Sequence, residues 1–309
     1  MSVVPTLRSS GDLLADRRYA YADAALAGGD HAAAADLAEQ TLELAPLFAP
    51  AHALLGRALA RLGRRDAAVA ALSRALELEP DDALGVRIDL ARLDALAPDQ
   101  AVGAGYVRAL FDDYAGSFER HLVKNLNYRG PEMLHAAVRR ARTAQGRKLW
   151  FTRVLDLGCG TGLVAKAFEG TYGTIEGIDL SPRMLARARR ARLYKRLHEA
   201  DLVAFLTQEP EASADLVIAA DVFVYMAALD DAFRQTHRVL ENGGLFAFTV
   251  QAHDGDGVVL GADSRYAHGE SYLRGVAAET GFATILFEHV STRQDRDLDV
   301  PGFLLILER

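Results

Sequence analysis

Cysteine is nearly absent from this sequence. Cys159 is the one cysteine among 309 residues, so no disulfide can form within the chain, and a zinc site with four cysteine ligands is excluded. We predict no metal site.

A surplus of basic residues is also lacking. The chain has 35 Lys and Arg against 42 Asp and Glu, a net charge of -7. Phosphate binding needs a basic surface, so we expect no general affinity for nucleic acid or for an anionic membrane. The run from Arg183 to Arg196, with seven basic residues, is a local exception. It could meet an acidic substrate or RNA, but we interpret it as the solvated face of a helix.

Long apolar runs are missing as well. No stretch approaches the roughly 20 apolar residues that span a bilayer, and the opening segment, MSVVPTLRSSGDLLADRR, lacks an uninterrupted apolar core. We therefore expect a cytoplasmic protein. Half of the residues are apolar and a quarter are charged, which is typical of a globular chain.

The length of the chain exceeds what one hydrophobic core usually organises, which favours two domains. Residues 11–98 carry apolar side chains at the spacing of amphipathic helices, and composition changes after Pro98 and Gly103. We place the boundary near residue 100. The sequence thus predicts an all-α domain over 1–100 and a second domain over 101–309, in which 101–150 forms lid helices and 151–309 the core.

The helical segment repeats with a period of 34 residues. The shift superposes Pro46 on Pro80, Ala34 on Ala68 and Gly29 on Gly63. The stronger copy places Gly56, Ala68 and Ala75 where paired helices approach closely. This pattern resembles the tetratricopeptide repeat; a generic alanine-rich bundle is the alternative. A helix around Val86 to Leu96 would cap the stack.

After Arg153, short apolar runs alternate with helical segments, which predicts an α/β fold with a doubly wound, mostly parallel sheet. Gly243 and Gly244 are predicted to end the helix before the fifth strand. The last two strands are joined by a loop too short for a crossover helix, so we expect them to be antiparallel. The seven predicted strands cover residues 153–157, 174–179, 197–199, 216–220, 245–251, 283–289 and 302–308.

The sharpest motif is VLDLGCGTG at 154–162, an apolar strand that carries Asp156 and leads into glycines at alternate positions. Glycines let the backbone turn tightly and approach a ligand. The next strand ends in Asp179, where a carboxylate could accept hydrogen bonds from ribose hydroxyls. A dinucleotide site would place its third glycine at 163, which is Leu163. Glycines that serve only a tight turn are the second alternative.

The spacing Asp-x-Gly-x-Gly-x-Gly resembles the first motif of class I methyltransferases, and the resemblance extends from Tyr106 to Arg309. It implies S-adenosylmethionine as cofactor and S-adenosylhomocysteine as product. It also implies that Asp179 binds the ribose, that Asp201 accepts from the adenine amino group unless it is a plain helix cap, and that Ser181 and Pro182 begin a helix. The other cofactor-binding residues implied are Asp156, Gly158, Cys159, Gly160, Gly162, Leu180, Leu202, Ala220 and Asp221.

Residues before the first strand resemble a helix that folds over the cofactor in such enzymes. Tyr114 and Phe118 share one stripe of that helix and are lid candidates, although the stripe is also typical of core packing. Arg129 could pair with the methionine carboxylate or lie on the surface. Phe223 and Tyr225 are candidates for the wall of the acceptor pocket, with burial in the core as the alternative.

Methyl transfer is a displacement at the sulfonium methyl, so positioning the acceptor at about 3 to 3.5 Å does much of the work. His253 and His268 are candidate bases for a protic acceptor, although each could be an ordinary surface histidine. We expect a small-molecule methyltransferase. The alternatives are a protein methyltransferase whose target is recruited by the repeats, and a non-catalytic adaptor that senses the cofactor. The repeats could also mediate self-association.

Overall fold

A computed structural model describes residues 9–116, 128–295 and 298–309. The chain divides into two compact units between Asp113 and Tyr114, some residues beyond the boundary placed near residue 100 from composition. Within the described ranges, no helix is both long enough and apolar enough to cross a membrane.

The first unit is built from helical hairpins. The turns between paired helices contain Gly29 and Gly63, both with positive φ (84° and 74°), and α5 packs its Val86 and Leu90 against Ala53 and Leu72. A hydrogen bond also links α3 to α5, because Nε of Arg57 donates to the Asp89 carboxylate at 2.7 Å. The capping helix is confirmed. The helices are α1 Leu13–Ala27, α2 His31–Leu44, α3 Ala49–Arg61, α4 Arg65–Leu78, α5 Val86–Arg92 and α6 Ala104–Tyr114.

Small residues let α3 and α4 approach closely, as the repeat pattern predicts. A Cβ on Gly56 would lie 2.5 Å from Leu72 Cγ and 3.1 Å from the Ala68 carbonyl oxygen. Ala68 and Ala75 are fully buried. Gly56 is therefore fixed by packing rather than by backbone conformation.

The described part of the second unit contains a nine-stranded sheet with helices on both faces and a separate two-stranded sheet of β9 and β10. Its main path runs β3-β2-β1-β4-β5-β11-β8. The first five of these strands are parallel, and β11 is antiparallel to both neighbours. The doubly wound fold and the antiparallel final pair are confirmed. The elements are α7 Gly130–Ala144, β1 Phe151–Leu157, α8 Leu163–Ala167, β2 Tyr172–Asp179, α9 Pro182–Ala191, β3 Arg196–Glu199, α10 Leu202–Gln208, β4 Ala214–Ala219, α11 Asp230–Val239, β5 Leu240–Ala252, β6 Val258–Leu260, β7 Tyr266–His268, α12 Glu270–Glu279, β8 Ala283–Val290, β9 Gln294–Asp295, β10 Leu298–Asp299 and β11 Gly302–Glu308.

Two features of the sheet depart from the sequence prediction. The β6–β7 hairpin, which adds β7 beside β5, was not predicted. The prediction that Gly243 and Gly244 end a helix is wrong, since α11 ends at Val239 and β5 begins at Leu240. Strand β4 pairs first with Leu240 and then with Leu245, so residues 241–244 bulge and Gly243 takes a φ of 75°.

Apolar side chains alternate between the two faces of the sheet. Leu155 and Leu157 point toward α10 to α12, whereas Val154 points toward α7 and α8. The carboxyl ends of β1, β2 and β4 lie at one edge of the sheet. The chain continues from β1 to β2 on one side and from β4 to β5 on the other, so the strand order reverses between β1 and β4. In open α/β sheets, ligands bind at this switch point.

A matched pair of glycine substitutions tests the packing. We expect Gly56→Ala to lower the free energy of unfolding by about 1 kcal/mol, because overpacking of roughly 1–3 kcal/mol outweighs the gain in helix propensity. Gly275→Ala is the control, since a Cβ on this helical glycine meets nothing within 4 Å, and it should stabilise by about 0.5–1 kcal/mol. Chemical denaturation of the full chain measures both. A Gly56→Ala protein as stable as the parent would contradict the close helix packing.

Candidate active site

The loop that follows β1 is shaped by its three glycines. Gly158, Gly160 and Gly162 have φ of 65°, 53° and 99°, values that other residues rarely adopt. A Cβ on Gly158 would lie 2.5 Å from Val222 Cγ2, and one on Gly162 would lie 3.2 Å from Tyr194 Cε2. The loop backbone therefore packs against Val222 and Tyr194, where added side chains would have no room.

Asp179 joins this loop to the next helix. Its Oδ2 accepts from the Gly160 N–H and its Oδ1 from the Ser181 N–H, both at 2.8 Å. The Ser181 hydroxyl in turn accepts from the Met184 N–H at 3.0 Å and caps α9, which confirms the predicted cap. Half-buried Leu180 lies between Asp179 and the cap. The carboxylate thus ties the glycine loop after β1 to the start of α9.

Asp156 is the buried acid of the motif. Its Oδ2 accepts from the Tyr194 hydroxyl at 2.6 Å, whereas Oδ1 has no hydrogen-bond partner within the described ranges. Burial raises the pKa of Asp156 to about 7; the hydrogen bond from Tyr194 opposes the rise, and the charge of Asp179 adds to it. A buried, half-satisfied carboxylate beside a second one favours a ligand with positive charge.

Cys159 serves the loop itself. Its backbone N–H donates to the Ile178 carbonyl at 2.9 Å, and its carbonyl accepts from the Gly162 N–H at 3.0 Å. The thiol is buried beside Gly177, whose added Cβ would lie 2.8 Å from Sγ, and burial raises the pKa of the Cys159 thiol. The backbone and thiol of Cys159 are therefore already engaged in holding the loop against β2.

Asp201 has the geometry of a helix cap, which was the alternative to a contact with adenine. Its Oδ1 accepts from the Val203 and Ala204 N–H groups, each at 3.0 Å, and caps α10. The adenine contact stays a prediction for the other oxygen. Leu202 is the first residue of α10, where a helix leaves its N–H groups without intrahelical partners.

At the end of β4 lies a buried ion pair that the sequence analysis missed. The Asp221 carboxylate accepts from Nη1 of Arg293 at 2.6 and 2.7 Å, and Nη2 of Arg293 donates to Gln251 Oε1 at 2.7 Å. The Arg293 side chain is 4% exposed. Asp221 has a φ of 61°, and its N–H donates to Thr249 Oγ1 at 2.9 Å. Asp221, next to half-buried Ala220, is thus held rigidly at the predicted sulfonium end.

Arg129 lies on the surface. It lines one pocket with Arg293 and Asp299, and its backbone N–H donates to the Thr292 carbonyl at 2.9 Å. Its predicted pairing with the methionine carboxylate stays a prediction. Phe118 lies outside the described residues.

The two candidate aromatic residues of the acceptor wall have different environments. Phe223 is fully buried and packs edge-on against Phe248, with ring centroids 5.4 Å apart, so it belongs to the core. Tyr225 is half-buried, and its hydroxyl accepts from Nε of Arg265 at 3.4 Å. Burial raises the pKa of Tyr114 to about 12, and the charge of Arg265 opposes the rise. Tyr114, Tyr225 and Arg265 therefore share one environment.

The two candidate bases have different environments. His268 is fully buried rather than on the surface, its Nε2 lies 3.0 Å from the Met226 carbonyl oxygen, and burial lowers its pKa to about 4. His253 uses both ring nitrogens inside its own loop, with Gly255 N–H and the Gly257 carbonyl at 3.0 and 3.1 Å. Nδ1 of His268 has no hydrogen-bond partner within the described ranges, and the role of either histidine as a base stays a prediction.

Comparison with known proteins agrees with this architecture. Residues 155–248 match the family model of a methyltransferase domain, and residues 25–93 match that of a tetratricopeptide repeat. Malonyl-[acyl-carrier protein] O-methyltransferase of Enterobacter lignolyticus is 34% identical over 157 residues, 50% of this chain and 55% of that protein. Aklanonic acid methyltransferase of a Streptomyces species is 31% identical over 103 residues, 31% of this chain and 47% of that protein. The chain spans about half the length of these curated relatives.

Among solved structures, magnesium protoporphyrin IX methyltransferase from Synechocystis, with bound SAH, superposes with a TM-score of 0.51. The match covers 67% of this chain and 99% of that chain at 18% identity, so the likeness concerns the fold. Together with the family matches and the sheet order, it confirms the resemblance seen in the sequence. The chain carries a methyltransferase domain of the class I fold together with tetratricopeptide repeats.

Proposed function

We propose that this protein is an S-adenosylmethionine-dependent methyltransferase that acts on a small-molecule acceptor. The observation that carries the proposal is Oδ1 of buried Asp156, which has no hydrogen-bond partner within the described ranges and lies beside Asp179 and a loop whose three glycines have positive φ. A buried acid beneath such a loop suits a nucleoside that carries positive charge. The spacing of the loop disfavours a dinucleotide, because Leu163 stands where the third glycine of a dinucleotide site would be.

Each of these residues would lie beside a different part of the cofactor. The glycine loop brings backbone close to the ligand, and Asp179 stands at the end of β2, where it would hold the ribose. Asp156 would supply negative charge beneath the loop, and Asp221 would stand at the sulfonium end. When bound, S-adenosylmethionine supplies an electrophilic methyl group. The chain then has to orient the acceptor in line and exclude water, which requires rigid groups such as the Asp221–Arg293 pair.

An acceptor carried by another protein is a second candidate. It is supported by the tetratricopeptide match, since such repeats commonly present surfaces to peptides, and by relatives named for a substrate on an acyl carrier protein. Turnover of a free acid compared with the same acid on a carrier protein distinguishes the two candidates. Turnover of either excludes the non-catalytic adaptor.

Loss of the Asp179 carboxylate should abolish tight cofactor binding. We expect Asp179→Ala to weaken S-adenosylhomocysteine binding by about 10- to 100-fold, because a charged hydrogen-bond acceptor for the ribose and the loop is removed. Calorimetric titration of the full chain measures this. Asp231→Ala is the matched control, since Asp231 pairs with Arg234 on the surface. Unchanged affinity in Asp179→Ala would rule out this site.

Asp156 should couple cofactor binding to pH. With a pKa of about 7, it is partly protonated at neutral pH, and a cationic ligand favours its ionised form. We therefore expect S-adenosylmethionine binding to release protons, and affinity to rise between about pH 6 and pH 8. Calorimetry in buffers with different heats of protonation measures the release, which should disappear in Asp156→Asn.

The raised pKa of Asp156 affects the stability of the free protein in the opposite direction, because stability falls as the pH rises. A carboxyl that holds its proton more tightly when folded stabilises the fold fully below about pH 4, and this contribution is lost as the pH rises toward 7. In denaturation experiments, the free energy of unfolding of Asp156→Asn should therefore depend less on pH over this range. Proton release that persists in Asp156→Asn would assign the coupling to another group.

A further inference from the structure

Arg265 lies next to the predicted acceptor position. It immediately precedes β7, and β7 pairs with the end of β5 through Gln251 and Ala252. The guanidinium carbon lies 5.9 Å from the centroid of the Tyr225 ring, and Nε donates to the Tyr225 hydroxyl. The hairpin therefore brings a cation to the edge of the sheet beyond β4.

The charge of this arginine is poorly matched by the protein. Its closest carboxylate is Asp263, at 4.0 Å from Nη1, and the Arg265 side chain is only 29% exposed. Asp221, which also attracts it, is already paired with Arg293. Burial lowers the pKa of Arg265, but Tyr225 and Asp221 outweigh burial, so the side chain stays charged. Among the described residues, no carboxylate lies closer to the Arg265 guanidinium than 4.0 Å, and a partly buried cation in this position favours an anionic ligand.

The sheet order separates this cation from the cofactor carboxylates. Asp156 and Asp179 belong to β1 and β2, whereas Arg265 lies beyond β4, beside β5. A ligand that spans this edge from β2 toward β5 would lie beside the negative side chains at one end and beside Arg265 at the other. The arginine is thus placed for the acceptor rather than for the nucleoside.

We propose that Arg265 binds a carboxylate of the acceptor, so that the reaction is methylation of a carboxylic acid to its methyl ester. The inference rests on the proposed function. One carboxylate oxygen attacks the methyl carbon, a C–O bond forms as the C–S bond breaks, and the electron pair of that bond stays on sulfur. The products are the ester and S-adenosylhomocysteine. No proton moves, so this reaction needs no base.

Binding tests the inference without knowledge of the natural acceptor. Propionate and malonate serve as probes, and propionamide and malonamide as their neutral counterparts, titrated by ligand-observed NMR into the full-length complex with S-adenosylhomocysteine. We expect the acids to bind, the amides not to bind, and Arg265→Gln to weaken the acids about 10- to 100-fold. Arg265→Lys should lose less, because it keeps the charge but not the planar fork. Arg274→Gln is the matched control, since Arg274 already pairs with Glu270 at 2.8 Å.

Turnover and cofactor affinity complete the test. With acids that are methylated, Arg265→Gln should raise KM while the Kd of S-adenosylhomocysteine stays unchanged. The inference is overturned if no probe acid binds in an Arg265-dependent way, or if Arg265→Gln weakens the cofactor product instead, which would place the methionine carboxylate there. Failure of the parent protein to bind S-adenosylhomocysteine would refute the proposed function itself. Cofactor binding with turnover of neutral acceptors alone would refute only the role of Arg265.

Discussion

The hydrogen bond from the Gly160 N–H to the Asp179 carboxylate, 2.8 Å long, holds together the two halves of the proposed cofactor site. It ties the loop after β1 to the end of β2, while the other oxygen of Asp179 fixes the residue that caps α9. Because the loop has three residues with positive φ, it needs such an external tie to keep one conformation. Without it, the loop backbone and the carboxylate proposed to bind the ribose would not be positioned relative to each other.

Charge is distributed unevenly along the edge of the sheet. Asp156 and Asp179 lie at the ends of β1 and β2, and Asp221 at the end of β4 is neutralised by buried Arg293. Arg265 follows beside β5. A cationic nucleoside on one side and an anionic acceptor on the other would each meet opposite charge, and the attraction would bring the reacting groups together at β4. The distribution links the proposed cofactor to the proposed acceptor class.

Much of this architecture could be predicted from sequence because it depends on local patterns. The glycine spacing, the Ser181–Pro182 cap and the small residues of the repeat are short-range constraints, and each has a direct steric or hydrogen-bonding cause. The strands follow from apolar runs. The residue Asp179 is found in the same way, because the end of a predicted strand fixes its position at the edge of the sheet.

What could not be predicted depends on contacts between distant residues. Arg293 and Asp221 are 72 positions apart and Arg265 and Tyr225 are 40 apart, and polar residues in loops leave no periodic signal. The β6–β7 hairpin consists of three-residue strands, too short to show alternation. Its pairing with β5 buries His268, which the sequence alone presents as a polar residue in a polar segment.

Calorimetric titration of the full-length protein with S-adenosylhomocysteine, with NADH titrated in parallel, tests the central claim most directly. The buried acid beneath the glycine loop should favour the sulfur nucleoside, and Leu163, which stands where a dinucleotide site has its third glycine, should disfavour NADH. Saturable binding of S-adenosylhomocysteine with none of NADH is the predicted result. Binding of NADH alone would contradict the account.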